Sequence, residues 1–179
     1  MCDVMDATYR REKIFEMIKQ HQAPLSASSL AKTFNVSRQV IVGDVALLRA
    51  RGHEIVATAR GYIMPTYENQ YIGAVVCRHA PEHTAAELYA IVDTGATVVN
   101  IVIEHDLYGE IIGNLNLSGR SDVDVFINAA KASKNKLLSE LTMGMHLHTI
   151  SCRDAHHFEQ VCRALSAKGF LHRACLKNL

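Results

Sequence analysis

The chain has 179 residues, of which 49% are hydrophobic, and its formal net charge at pH 7 is +1. This length is typical of two domains, and the apolar content is sufficient for packed cores, so the composition excludes a largely disordered chain. The net charge is too small to identify a class of partner by itself.

The cysteines and the apolar runs bear on location. The five cysteines are odd in number and form no CxxC pair, which is typical of free thiols in a reducing compartment. The charged start of the chain lacks the apolar segment of a signal peptide, and runs such as YIGAVVC are far too short to cross a bilayer. We therefore expect a cytoplasmic protein without a membrane partner.

The charge is divided unevenly along the chain. Residues 1–66 carry nine lysines and arginines against six acidic residues, whereas residues 67–179 carry ten against twelve. The polar, proline-containing stretch PTYENQ at residues 65–70 separates the two parts. We therefore predict two domains, 1–66 and 67–179, with different partners.

Three helices are predicted before residue 52. Pro24 lies beyond the end of the first, and Ser28 is placed to cap the second. Ser37 follows the tight turn NVS as a typical N-cap of the third helix, which Gly52 ends. The predicted inward positions, spaced as in amphipathic helices, are Ile14, Phe15, Ile18, Leu30, Ala31, Phe34, Ile41, Val45 and Leu48.

The segment HEIVATARGYIM predicts two short strands around ARG. Three helices and a hairpin within about 55 residues form a winged helix-turn-helix, whose third helix enters the DNA major groove. The predicted DNA contacts are Ser37, Arg38, Gln39 and Val42 at the helix start and Arg60 in the wing. The alternative is a small unit that packs or dimerises without DNA. LAKTFNVSRQVIVGDVALLRARGH and RGYIM together resemble the winged domain of biotin-operon-type repressors.

The elements beyond the linker are predicted in the order β-α-β-β-α-β, with a further helix and the short FLH segment after them. This order is that of a ferredoxin-like domain, so the whole chain is predicted to be α+β with an extra C-terminal helix. In such a sheet the first and fourth strands are antiparallel neighbours. The end of YIGAVVCRH is therefore expected beside the start of MHLHTISC.

This topology brings several histidines together. His146 and His148 share one face of a strand because side chains alternate, and His79 is expected beside them. Glu87 lies eight residues after His79, on the first helix of the domain, within reach of the sheet. Three imidazoles and a carboxylate suit a divalent transition metal such as nickel, zinc or iron.

Other readings of these residues remain open. A histidine on a half-buried strand is often a hydrogen-bonded core residue rather than a ligand. His83 stands four residues before Glu87 on the same helix face, and Cys77 shares a strand face with His79, so either could join the site. An enzyme would need a general base, for which Glu104 and His105 are the available residues, yet no hydrolase or nucleotide-binding motif occurs.

CRHAPEHTAAELYAIVDTG, IEHDLYGE, LTMGMHLHTI and GFL, in this order behind a winged helix, resemble the three-histidine (3H) domain of niacin-responsive repressors of the NiaR type. The resemblance covers essentially the whole chain and carries the family's metal ligands onto His79, Glu87, His146 and His148. The family's other signature histidine falls on His105, which we assign to the effector pocket or to a position behind the metal ligands. Asp106, where proline is expected in many members, is a departure that alters a turn.

The resemblance implies a repressor of NAD biosynthesis and niacin-uptake genes rather than an enzyme. It implies double-stranded operator DNA, a homodimer and nicotinic acid as co-repressor. Proximity to the motifs makes Arg78, Tyr108 and Thr142 further candidates for the effector contacts. The rival hypothesis is a regulator for which the metal itself is the signal.

Overall fold

The computed structural model describes residues 6–21, 23–64, 70–133 and 135–175. The chain divides into two units, residues 1–66 and 67–179, and each has its own hydrophobic core. Within these described ranges, no helix combines the length and apolar character needed to span a membrane.

The first unit is a winged helix-turn-helix. Its elements are α1 (Ala7–Gln20), α2 (Ala27–Phe34), α3 (Arg38–Ala50), β1 (Val56–Thr58) and β2 (Gly61–Ile63). The two strands pair antiparallel around Ala59 and Arg60, which confirms the predicted wing. Tyr62 also exchanges backbone hydrogen bonds with Leu25, so the wing is anchored to the chain just before α2.

The predicted residues at the ends of the helices are confirmed for α3, whereas the predicted N-cap of α2 is corrected. Ser37 caps α3, because its Oγ accepts from the Val40 N–H at 3.3 Å. Gly52 adopts φ +92° directly after α3, as a helix-ending glycine does. The cap of α2 is Ser26 rather than Ser28, since Ser26 has extended backbone and accepts from the Ser29 N–H at 3.0 Å.

The core of this unit contains most of the predicted inward residues, while Phe15 and Phe34 pack at its edge. Asp44 is buried on α3 and had not been predicted as an inward position. Its carboxylate receives Arg10 Nε at 2.7 Å and Arg11 Nη1 at 3.4 Å. A buried carboxylate requires such partners, so this ion pair ties α1 to α3.

The second unit is a five-stranded antiparallel sheet with helices, and the expected α+β class is confirmed. Its elements are β3 (Tyr71–Arg78), α4 (Thr84–Val92), β4 (Thr97–His105), β5 (Gly109–Leu117), α5 (Arg120–Ala132), β6 (Met145–Cys152), α6 (Ala155–Ala167) and β7 (Leu171–Cys175). Helix α6 is the expected addition, and the FLH segment leads into β7.

The strand order is β5-β4-β6-β3-β7, which differs from the expected one. The first and fourth strands of the unit are antiparallel neighbours as predicted, with Cys77 opposite His146 and Val75 opposite His148. In a ferredoxin-like sheet the third strand lies between the first two. Here the fourth, β6, takes that place because it pairs with both β3 and β4. The histidine pair therefore lies in the middle of the sheet.

The core of this unit lies between the sheet and its helices. Val75, Cys77 and Ile150 contribute from the strands, and Leu88 and Phe158 from the helices. His146 and His148 belong to the same face as the strand residues, because they are the register partners of Cys77 and Val75. The two imidazoles thus point into the interior.

Candidate functional site

Three imidazoles converge on one buried carboxylate. His79 follows β3, Glu87 lies on α4, and β6 supplies His146 and His148. Nε2 lies 2.7 Å from a Glu87 oxygen for His79, 3.1 Å for His146 and 3.4 Å for His148. None of the four side chains is more than 3% exposed. The structure therefore brings together all four residues predicted as metal ligands.

The other ring nitrogen of each histidine meets a backbone carbonyl. His79 Nδ1 lies 2.9 Å from the Ala80 oxygen, and His146 Nδ1 lies 3.0 Å from that of Gly144. His148 Nδ1 lies 2.8 Å from the Asn100 oxygen. A carbonyl only accepts, so each Nδ1 carries the proton. In a neutral ring this leaves the Nε2 lone pair aimed at Glu87.

This arrangement creates a need for positive charge between the rings and the carboxylate. A neutral Nε2 and a carboxylate oxygen are both acceptors, so their close approach requires a shared proton or a cation. Protonating all three rings would bury three positive charges against one negative charge, which is costly. A divalent cation would satisfy three nitrogens and one oxygen at once.

The distances within the cluster also fit a shared ion. Ligand atoms of His79, Glu87 and His146 all lie within 4.8 Å of one another. Ligands bound at about 2.0–2.2 Å to one ion stand roughly 3 Å apart, and the three Nε2 atoms lie 2.7, 3.1 and 3.4 Å from Glu87 oxygens. The carbonyls on Nδ1 resemble the outer hydrogen bonds that orient metal-bound histidines elsewhere. Nitrogen and carboxylate donors suit zinc, nickel or iron(II).

The electrostatics of the cluster favour an ionised carboxylate. Burial by itself raises the pKa of Glu87, but the charge of His148 and the hydrogen bonds of the three histidines outweigh it and hold this pKa well below its ordinary value. Burial lowers the pKa of His79, yet the hydrogen bond and charge of Glu87 give a net rise. The carboxylate is therefore available as an anionic ligand.

The two residues left open by the sequence do not extend this cluster. Cys77 is buried opposite His146, and both burial and the Glu87 charge raise the pKa of its thiol far above the ordinary value. Among the described residues, the ligand atoms that lie close to one another are those of His79, Glu87 and His146, without Cys77. His83 is exposed on the turn before α4, and its ring packs 5.8 Å from the Phe170 ring centroid.

A cavity of about 240 Å³ opens beside the cluster, whose four side chains form part of its wall. The wall is otherwise mainly apolar, with Leu88, Ile101, Leu115, Phe126, Leu137 and Leu138. Polar groups come from Asn114, Ser139 and Lys136. Gly113 also lines the cavity, and a side chain at this position would crowd Leu138, because a Cβ there would stand 2.9 Å from Leu138 Cδ1. The cluster therefore faces a small, mixed pocket.

The four residues predicted to contact an effector do not line this cavity. Arg78 points away from it because Cys77, its neighbour on β3, faces the interior. The Thr142 hydroxyl donates to the Met145 carbonyl and lines a depression that lies elsewhere. His105 and Tyr108 lie at the β4–β5 turn, with ring centroids 5.0 Å apart.

Beyond the four cluster residues, the sequence contained no signal for the residues that line the cavity. Asn114, Phe126 and Lys136 come from β5, α5 and the segment after α5, which were far from the histidine motifs used as a guide. The two candidate general bases of the enzyme alternative also lie away from this cavity, because neither Glu104 nor His105 borders it.

The first unit carries a second concave surface, a groove of about 440 Å³ between the start of α2, the start of α3 and the wing. Arg38, Val42 and Arg60, three of the five predicted DNA contacts, line it together. Gln39 is exposed on the adjoining turn of α3, whereas the Ser37 hydroxyl is engaged as the helix cap. The groove combines arginines with a helix start, as surfaces that bind DNA backbones do.

Comparison with known proteins finds a family match for each of the two units. The 3H domain family matches residues 73–174, and an HTH domain family matches residues 10–63. The chain is 40% identical over 166 residues to "Transcription repressor NadR" of Bacillus subtilis, covering 90% of this chain and 92% of that protein. It is 39% identical over 162 residues to "Probable transcription repressor NiaR" of Thermotoga maritima, covering 90% and 93%.

These relatives are named as repressors, which places the chain among regulators rather than enzymes. The HTH match over residues 10–63 identifies the first unit as its DNA-binding domain. The 3H match covers the unit that holds the histidine cluster. The resemblance found in the sequence is thus confirmed, and the chain belongs to the family of NadR- and NiaR-type transcription repressors.

Proposed function

We propose that this chain represses genes of NAD biosynthesis or niacin uptake, with nicotinic acid as co-repressor. A homodimer binds operator DNA through the winged units, and the 3H domain holds a divalent transition metal. The observation that carries this proposal is the buried cluster of Glu87 and three histidines that opens directly onto a small cavity.

The metal-holding residues in this proposal are His79, Glu87, His146 and His148. Their Nε2 and carboxylate atoms face one another, and each Nδ1 is committed to a carbonyl. A bound divalent ion would supply a coordination position for an aromatic ring nitrogen. The chain itself fixes the imidazoles in one tautomer and keeps water away from the carboxylate.

The cavity suits a single-ring acid. Its volume of about 240 Å³ lies below the usual range for drug-sized ligands. Phe126 and Leu115 offer apolar surface for the faces of a pyridine ring. Lys136 supplies a cation for the carboxylate, and Asn114 adds an amide that can donate to it. Nicotinic acid combines these three features.

Operator binding measured by fluorescence anisotropy tests the proposal. The full chain is titrated onto a DNA fragment from upstream of its own niacin-uptake genes, after chelation, with metal, with nicotinic acid, and with both. We expect the tightest binding with both, by about 5- to 150-fold over metal alone. Nicotinamide, which lacks the carboxylate, is the matched control.

Each other outcome rejects a specific part of the proposal. A response to metal with no effect of nicotinic acid would establish the metal-sensor alternative. A response to nicotinic acid after complete chelation would remove the metal from the effector site. Absence of specific binding to such fragments under all four conditions would contradict the proposed target genes.

A further inference from the structure

The sheet of the second unit has one face that its own helices leave open. Val75, Cys77, His146 and His148 point towards the helices and are buried. The alternate residues of the same strands point the other way, and all of them except the buried Ser151 are partly or fully exposed. We call this second side the open face.

The part of the open face around Leu147 is apolar for a solvated side of a sheet, whereas Thr149 and Ser151 follow on the same side of β6. The apolar lining of a depression of about 370 Å³ there includes Val76, Val102, Met145 and Leu147, and Glu104, Glu110 and Thr142 add polar groups to it. Ile112 lies beside Val102 and is 56% exposed. Antiparallel sheets that face water alternate apolar and polar sides, so an apolar second side requires a partner.

The charged residues of the open face are separated by sign, with the acidic ones on the β4–β5 side of the sheet and the basic ones on the β3–β7 side. Glu104 on β4 and Glu110 on β5 lie directly opposite each other, and both are exposed. Like charges in such a pair repel. Arg78 on β3 and Arg173 on β7 are exposed at the other side of the sheet. The central strand β6 contributes the apolar Met145 and Leu147 between the two sides.

The register places these residues in two rows across the strands. Val102 pairs with Leu147, and Leu147 pairs with Val76, which in turn pairs with Arg173. Continuing this register by two residues along each strand places Glu104 level with Met145, and Met145 pairs with Arg78. One row thus reads, from β5 to β3, Glu110, Glu104, Met145, Arg78.

This pattern is complementary to itself. Consider two copies whose open faces pack against each other, related by a two-fold axis that runs parallel to β6 between the two sheets. This rotation places each β6 residue over the same residue of the partner, and it places the β3 side of one sheet over the β4 side of the other. Met145 then meets the partner's Met145, while Arg78 lies over the partner's Glu104. Arg173, one row away, comes within reach of the partner's Glu110. Two sheets stacked with nearly aligned strands pack in this manner.

We propose that the open face is the homodimer interface of this protein. The inference rests on the dimeric repressor proposed above and specifies which surface joins the two copies. The acidic pair disfavours DNA as the occupant of this face, because it would repel phosphate groups. A second copy instead provides arginines at the same level as the glutamates and an equal apolar centre.

Charge reversal provides the test, because both Arg78 and Glu104 are exposed and their replacement leaves the core intact. We would measure the dimer dissociation constant of the full chain by sedimentation equilibrium. Arg78→Glu and Glu104→Arg should each raise this constant by at least about tenfold, since like charges then face each other. The double variant should return it to within about threefold of wild type. Arg163→Glu, an exposed reversal on α6, is the matched control without effect.

The outcomes separate this interface from the proposed function. A wild-type dimer that neither reversal weakens, or single variants that the double variant does not rescue, would overturn the open face as the interface. The nicotinic acid response could then still hold. A wild-type chain that stays monomeric at all concentrations would also overturn the interface, leaving the face to another protein. Operator titrations decide the proposed function independently.

Discussion

Glu87 is the residue on which the cluster depends. Its carboxylate is fully buried and lies within 3.4 Å of three imidazole nitrogens. A buried negative charge is costly unless cations or donors surround it. Because every Nδ1 proton is directed to a carbonyl, the compensation has to come from the space between Nε2 and Glu87. This is the physical reason to place a metal there.

Acid should release the proposed metal, because protonation of His79 removes one of its ligands. Burial opposes the shift, but the hydrogen bond and charge of Glu87 raise the pKa of His79 overall. A protonated ring cannot ligate, so affinity should begin to fall at a higher pH than an isolated imidazole would impose. Chelator competition between about pH 8 and about pH 5.5 measures this fall. An affinity that is constant over this range would contradict histidine ligation.

Lys136 should determine whether the pocket prefers an acid. Lys136→Met keeps much of the side-chain length and removes the charge, so nicotinic acid should bind about 10- to 100-fold more weakly. Calorimetry on the metal-loaded protein measures this loss. Metal content should stay unchanged, and Lys131→Met on α5 is the control. Equal loss of a neutral pyridine analogue would show that Lys136 acts through packing instead of charge.

At the level of elements, β6 holds the second unit together and supplies half of the cluster. It pairs with β3 on one side and β4 on the other, which fixes His146 and His148 on the same interior face. The double variant His146→Ala, His148→Ala should therefore lose its metal while the winged unit, which has its own core, stays folded. Elemental analysis and circular dichroism check the two parts. Full metal content in this variant would disprove the cluster as the metal site.

A substitution on helix α3 should change the affinity for operator DNA without changing the affinity for the effector. Arg38 lines the groove with Val42 and Arg60, in a unit separate from the histidine cluster. Arg38→Ala should weaken operator binding by about 1–3 kcal/mol if it reads a base, or lower the salt dependence by about one ion if it contacts a phosphate. Anisotropy at several salt concentrations distinguishes the two. Unchanged DNA binding would move the contact to other residues.

The sequence was sufficient to predict the elements that local patterns specify. Alternation placed His146 and His148 on one face, and the capping residue Ser37 located the start of α3. Antiparallel pairing of the first and fourth strands then brought His79 and Glu87 to them. Strand order was harder to predict, because β6 could occupy the centre or an edge of the sheet with the same pattern of residues.

The far wall of the pocket was also beyond sequence reasoning. Asn114, Phe126 and Lys136 are brought to the cluster only by tertiary packing of β5 and α5 against α4 and β4. Arg78, predicted as an effector contact, lies on the open face and not at the cavity, because strand alternation turns it there. The buried Asp44 was missed because its partners Arg10 and Arg11 are 34 and 33 residues away.

At the scale of the whole molecule, repression requires that effector and DNA binding be coupled. In the proposed mechanism, nicotinic acid must bind the DNA-competent state better than the other state, since equal affinity would shift nothing. Coupling is reciprocal, so operator DNA should tighten nicotinic acid binding by the same factor. The open face provides a shared element for this coupling, because the strands that supply His146, His148 and Glu104 also form the proposed interface.

The decisive experiment compares operator affinity of wild type and Glu87→Gln as nicotinic acid is added. The substitution keeps the shape of the side chain but removes the negative charge that, in this proposal, attracts a metal. Wild type should gain about 5- to 150-fold in operator affinity, whereas Glu87→Gln should bind the operator with no gain. A full nicotinic acid response in Glu87→Gln would contradict control of repression by the buried cluster.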